Sequence, residues 1–157
     1  MKNTFGSALC LTIFGESHGA GVGAVLDGMA AGVPVDPAAL AALMDKRRAR
    51  GDGLSTARVE ADEVRILSGV VNGRTTGTPL TLLIENHNTR SGDYAATAAL
   101  LRPGHADYTA YARYRGWQDA RGGGHFSGRI TAGLVAGCLL YTSAAADELT
   151  RVDLGGR

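Results

Sequence analysis

The sequence predicts an α+β layer fold, and three observations carry that prediction. Short β-compatible runs and helical periodicities are mixed, without the strict strand–helix–strand alternation of a parallel α/β sheet. Turn signals close most of the runs. Glycine, with 23 residues, is present at roughly twice its usual share of ~7%. These glycines are mostly scattered singly among apolar neighbours, which points to tight turns and close backbone approaches rather than to disorder. At 157 residues the chain fits one domain with a core of useful size.

The elements follow in chain order. Ala8 to Phe14 is a β-compatible run that ends at Gly15, and Val22 to Leu26 is a second, ending at Asp27-Gly28. The loop GESHG therefore joins two strands. Asp36-Pro37 opens a helix, since Asp is a good N-cap and Pro suits the first helical position. Leu40, Leu43 and Met44 follow at helical spacing. The exit KRRARGDG places basic residues where they complement the helix dipole, and Gly51 and Gly53 stop the helix. Val64 to Val71 is read as a strand closed by the turn Asn72-Gly73, and Leu80 to Ile84 as another. Residues 85–92 form a polar loop, and residues 95–101 a brief helical turn. Asp107 to Tyr114 is helical, with Tyr108, Tyr111 and Arg115 on its surface. Ser127 to Leu140 is a helix rich in Ala and Gly, suited to close packing. Ser143 to Leu149 forms a further short helix, and Gly155-Gly156 a stop.

The net charge of +1 does not suit a dedicated nucleic-acid binder. Cys10 and Cys138 make no disulfide framework, and both fall in apolar runs where a buried thiol is expected. The four histidines lack metal-ligand spacing, so no metal site is expected. No signal peptide is evident. The stretch Ile130 to Leu140 is too short to span a bilayer. A cytoplasmic location and no membrane partner are the expectation.

Chemistry concentrates in two segments. The first is FGESHG at 14–19. His18, flanked by glycines, is either a general acid or base at a pocket or a loop histidine bonded to its own turn. The second is LRPGHADYTAYARYRGWQDARGGGHFSGR at 101–129. There His105 either caps a helix together with Asp107 or serves as a second acid or base. The triple glycine at 122–124 leads into a helix near Ser127. It is either a flexible turn or an anion site, and Arg121 and Arg129 favour the anion. It is neither a GK[ST] phosphate loop nor GxGxxG. Arg47, Arg48 and Arg50 form a basic run that read alone is mostly a solvated face.

Six blocks in order resemble chorismate synthase. They are FGESHG at 14–19, the VDP…RR segment through Arg48, EADEVRILSGVVNGRTTGTPLTLLIEN at 60–86, NTRSGDY at 88–94, RPGHADYT at 102–109 and RGGGHFSGR at 121–129. The resemblance implies a layered α+β fold of the chorismate synthase type, incomplete in this chain. It also implies a lyase that eliminates phosphate in the anti sense from the small-molecule substrate 5-enolpyruvylshikimate 3-phosphate, giving chorismate. Reduced FMN is required, and NADPH enters if the parent reduces its own flavin. By resemblance His18 protonates the departing phosphate, and His105 assists the reduced flavin. Ser17, Arg48 and Arg129 bind substrate. Arg48, His125, Phe126 and Ser127 contact the flavin. The family implies a homotetramer.

The match has departures. Many members carry an arginine where this chain has Gly53, and Arg50 lies in the same loop as a candidate to replace it. His125 stands where RGGGR is common. RYRGWQD is one residue longer than the usual spacing. Residues 1–137 are expected to be the N-terminal part of a single chorismate synthase domain. Residues 138–157 read as a non-family tail, similar to translated adapter read-through. The fragment is therefore expected to be inactive, lacking an acidic residue and much of the flavin site. The alternative reading is a non-catalytic anion- or RNA-binding module built on the Gly/Arg-rich 113–129 segment, with steeply salt-dependent binding.

Overall fold

The computed structural model describes residues 2–49, 60–87 and 100–152. Its strands are β1 (Thr4–Gly6), β2 (Cys10–Gly15), β3 (Gly21–Asp27), β4 (Val64–Ser68), β5 (Val70–Val71), β6 (Arg74–Thr75) and β7 (Leu80–Glu85). Its α-helices are α1 (Pro37–Arg47), α2 (Asp107–Tyr114) and α3 (Thr131–Val152). Five strands form an antiparallel sheet in the order β1-β2-β3-β7-β4, and β5 with β6 forms a small hairpin.

Register explains the core. Val22 pairs with Ile84, Ala24 with Leu82 and Leu26 with Leu80. Alternate residues share a face, so these six apolar side chains line one side of the sheet, and all are fully buried. Helix α3 crosses that side and packs on β2, β3 and β7, with α1 against it. Close packing needs the glycines of α3. A Cβ at Gly133 would collide with the Gly23 carbonyl, and one at Gly137 would lie 3.2 Å from Ala24 Cβ. Helix α1 starts as its sequence predicts: Asp36 Oδ1 accepts from the amides of Ala38 and Ala39, at 2.8 and 3.1 Å. Leu40 and Met44 are its buried residues.

Several expectations are corrected. The single strand expected over Val64–Val71 is two. Pairing shifts between Ile66 and Ser68, and Gly69 takes φ +82° against Leu80, so the chain turns off the sheet into the β5–β6 hairpin. Asn72 and Gly73 make that turn, both at positive φ. Strands β1 and β6 are too short to carry an alternation signal.

The helix expected from Ser127 begins as a 3-10 turn, Gly128–Ile130, capped by Ser127. It then runs as one α-helix to Val152 through the segment expected to form a separate helix. Nothing there breaks it. The Thr142 and Ser143 hydroxyls donate to the Leu139 carbonyl, each at 2.9 Å. The stretch Gly128–Ala146 is consequently long and apolar enough to cross a bilayer by length and composition, beyond the eleven-residue run read from sequence. Here it serves as a core helix, with Ala132, Ala136, Leu140 and Ala144 buried. Cys138 is exposed, not buried, because it lies off that inward face, and Cys10 is only half-buried. Arg50, Gly51, Gly53, the NTRSGDY segment, most of the 95–101 turn and Gly155-Gly156 lie outside the described residues.

Candidate active site

The GESHG loop and the triple glycine meet. Ser17 N donates to the Gly124 carbonyl at 3.1 Å. Ser17, 1% exposed, places its Oγ 3.3 Å from the carbonyls of Arg121 and Gly122, and 3.1 Å from His18 Nδ1. His125 Nδ1 donates to the Gly15 carbonyl at 2.8 Å. Two loops about a hundred residues apart are thus stitched backbone to backbone.

Both histidines rest on this seam. Gly122, Gly123 and Gly124 have φ of +57°, +88° and +54°. A Cβ on Gly122 would overlap the His18 ring, and one on Gly123 would lie 2.5 Å from His105 Cε1. The positive φ and the ring contacts both require glycine here. The two imidazoles therefore sit over adjacent residues of one turn. Gly122→Ala is expected to keep the fold and displace the His18 ring, read as a shifted His18 Cε1–H resonance. An unmoved resonance would remove the steric role.

His105 lies in an acidic and basic frame. Asp107 Oδ1 is 2.8 Å from His105 Nδ1. Arg102 meets both oxygens of Asp107, from Nε at 2.7 Å and from Nη2 at 2.8 Å. Asp107 also accepts from the Arg102 amide at 3.0 Å, and caps no amide of α2, whose N-cap is Ala106. The helix-cap alternative for His105 and Asp107 is thus not what forms. The Arg102 guanidinium holds the Asp107 carboxyl well below the usual carboxylate range. Arg121 does the same to Asp119. Both carboxyls are depressed in the folded chain, so the unfolded chain takes up protons first as pH falls. Their contribution to stability is complete above the ordinary value of ~4 and is lost below it. Asp107→Asn should flatten the acid limb of the melting-temperature profile; an unchanged limb would exclude Asp107 as a contributor.

A family model for chorismate synthase matches residues 9–151. The chain belongs to the chorismate synthase family. The match extends past the last of the ordered sequence blocks. The chain is 51% identical over 135 residues to the chorismate synthase of Desulfovibrio desulfuricans, covering 86% of this chain and 37% of that protein. It is 48% identical over 159 residues to the enzyme of Nitratidesulfovibrio vulgaris, covering 98% and 45%. A crystal structure of chorismate synthase superposes with a TM-score of 0.61 at 27% identity, over 90% of this chain and 34% of that one. The chain thus spans less than half the length of these relatives.

The chorismate synthase candidates fall into two groups. Ser17, His18, His105 and His125 share the seam. Phe126 lines two clefts beside it. One, of about 260 Å³, is walled by Leu101, Arg102, Asp107, Gly123 and Phe126. The other, of about 500 Å³, is walled by Phe14, Tyr114, Trp117, His125 and Phe126. Gln118 borders both, and its Oε1 is buried with no hydrogen-bond partner among the described residues. An orphaned acceptor beside aromatic faces suits a flat heterocycle with ring N–H groups, so these residues fit a flavin. Ser127 lines neither cleft; its Oγ accepts from the Arg129 amide at 3.3 Å.

The arginines lie elsewhere. Arg129 is buried behind the loop, donating to Asn86 Oδ1 at 2.9 Å, to the Glu85 carbonyl at 3.2 Å and to Asp62. Asp62, buried at φ +51°, also accepts from Arg47. Asn86 Nδ2 lies 3.0 Å from the carbonyls of Glu16 and Gly19. Arg48 pairs with Asp45 and lines a cleft of about 520 Å³ that touches no histidine. Sequence reasoning missed Asp62, Asn86, Gln118 and Asp119. All four lie inside segments that the resemblance quotes, Asp62 and Asn86 at the two ends of the 60–86 block and Gln118 and Asp119 in RYRGWQD, but their residue types alone gave no role. The alternative RNA-binding reading loses part of its charge basis, because Arg121 and Arg129 are paired to carboxylates within the chain.

Proposed function

We propose that the full-length protein is a chorismate synthase in activity, removing phosphate and a ring proton from 5-enolpyruvylshikimate 3-phosphate. The observation that carries this reading is the placement of His18 and His105 over adjacent glycines of one turn, within a chorismate synthase family chain. His18 gives a proton to the departing phosphate oxygen, and the buried Ser17 hydroxyl at its Nδ1 orients the ring. His105, framed by Asp107 and Arg102, serves the flavin side. Reduced FMN, when bound, lends electron density transiently as phosphate leaves. Phe126, His125 and Gln118 are the residues that would hold it. Arg48 is assigned to substrate and flavin by resemblance. Arg129 serves the substrate side through the loop that it braces. Where substrate and flavin displace water from the clefts, each polar contact to the developing charge is strengthened.

The assignment extends to a cytoplasmic homotetramer, with NADPH used where the protein reduces its own flavin. The 157-residue chain alone is expected not to turn over. The test is anaerobic conversion of the substrate with chemically reduced FMN by a full-length protein carrying these residues. Chorismate formation, followed by absorbance, is the expected result. No chorismate from a folded, flavin-loaded protein would overturn the proposal.

A further inference from the structure

The atoms around His105 decide which of its nitrogens carries the proton. Asp107 Oδ1 lies 2.8 Å from Nδ1. The carboxyl is held ionised by the two-pronged contact of Arg102. An ionised carboxylate only accepts hydrogen bonds, so this approach requires a hydrogen on Nδ1. Arg102 Nη2 is also 3.3 Å from Nδ1. A guanidinium only donates, so this contact by itself would favour a bare Nδ1, but it is the longer one, and the same Nη2 is closer to Asp107 Oδ1, at 2.8 Å. A bare Nδ1 would set two lone pairs against each other at 2.8 Å. The neutral ring is thereby left with its lone pair on Nε2. That edge faces the seam: a Cβ on Gly123 would lie 2.5 Å from Cε1 and 2.8 Å from Nε2. Gly123 in turn lines the smaller cleft together with Arg102 and Asp107.

We infer that Asp107 is a positioning residue: clamped by Arg102, it locks neutral His105 as the Nδ1–H tautomer and presents Nε2 as a proton acceptor beside Gly123. The functional meaning rests on the reading of His105 as a working histidine, but the tautomer is a property of this chain and is measurable without turnover. Neutral imidazole has no comparable lock in water. Here a salt-bridged carboxylate supplies it, as second partners do for other functional histidines.

The test is a long-range ¹H–¹⁵N correlation spectrum of the histidine-labelled 157-residue chain, recorded above the histidine titration range. The expected result is one tautomer at His105, with a protonated Nδ1 and a bare Nε2. Asp107→Ala should convert it to a mixture, with the remaining amide spectrum reporting that the fold is kept. If Asp107→Ala unfolds, Asp107→Asn keeps the shape and should still lose the single tautomer, because a carboxamide presents either an acceptor or a donor. A mixed or Nε2–H ring in the wild-type chain would overturn the inference outright, as would an unchanged spectrum in a folded variant. In the full-length enzyme, Asp107→Asn should lower kcat about 10- to 100-fold with KM little changed. Loss of turnover by the wild type would sink the proposed activity and leave the tautomer standing, so the two failures are distinguishable.

Discussion

Replacing His18 by alanine in the full-length protein should lower turnover by about 10²- to 10⁴-fold, the usual worth of one positioned acid or base. The structure gives reasons to expect an effect confined to chemistry. The ring is half-buried on the surface of Gly122, with its Nδ1 3.1 Å from Ser17 Oγ. The backbone bond that docks the loop, Ser17 N to Gly124 O, does not involve it. Removing the ring leaves that bond and the Asn86 contacts to Glu16 and Gly19 in place. The melting temperature should therefore change little while kcat collapses. The same comparison applies to His105→Ala. Wild-type rates in both variants would remove the proposed roles; a collapse of fold with the rate would show the histidines to be structural.

Arg129→Ala is expected to show the opposite pattern. Arg129 and Asp62 are 8% and 5% exposed, and Asp62 loses one of its two arginine partners with the substitution. Breaking a buried pair by removing one member costs about 3–5 kcal/mol when a charge is left without compensation, and Arg47, which still pairs with Asp62, should hold the loss to the lower part of that range. Asn86 loses a donor at the same stroke, so the side chain that ties β7 to the GESHG loop is less firmly held. Urea unfolding of the 157-residue chain should read the loss as a lowered midpoint at unchanged slope. The double replacement Arg129→Met with Asp62→Leu should recover part of it, since the buried carboxylate goes with its partner while Arg47 loses its contact to Asp62. A single-variant loss below about 1 kcal/mol would place the pair in the solvent-screened class.

Local chemistry was the legible part of the sequence. Asp36-Pro37 announced α1, Asn72-Gly73 announced a hairpin turn, and the apolar runs at 22–26 and 80–84 announced β3 and β7. These signals depend on a few neighbouring residues. The site was legible only in part, because its contacts are not local. The triple glycine reads as an anion loop from its own residues. In the fold it is also the surface on which two histidines from elsewhere rest, and nothing near 122–124 encodes that. Arg129 reads as a ligand arginine because its motif is basic. Its burial depends on Asp62, a residue at positive φ whose pairing with Arg129 nothing in the 60–86 block marks. The length of α3 was misjudged for a simpler reason: Tyr141 to Ser143 looked like a break, yet hydroxyls that bond back to the preceding turn continue a helix.

The stitching of residues 15–17 to residues 121–125 spans separations of 104 to 110 positions. Closing so long a loop is entropically unfavourable until the sheet and α3 have brought the ends together. The histidine pair therefore cannot nucleate folding; it is assembled by it. During synthesis the His18 loop waits for more than a hundred further residues before its partner glycines exist. Any partly folded form that keeps the sheet but has not docked the 121–125 turn would be compact and structured, yet chemically blank.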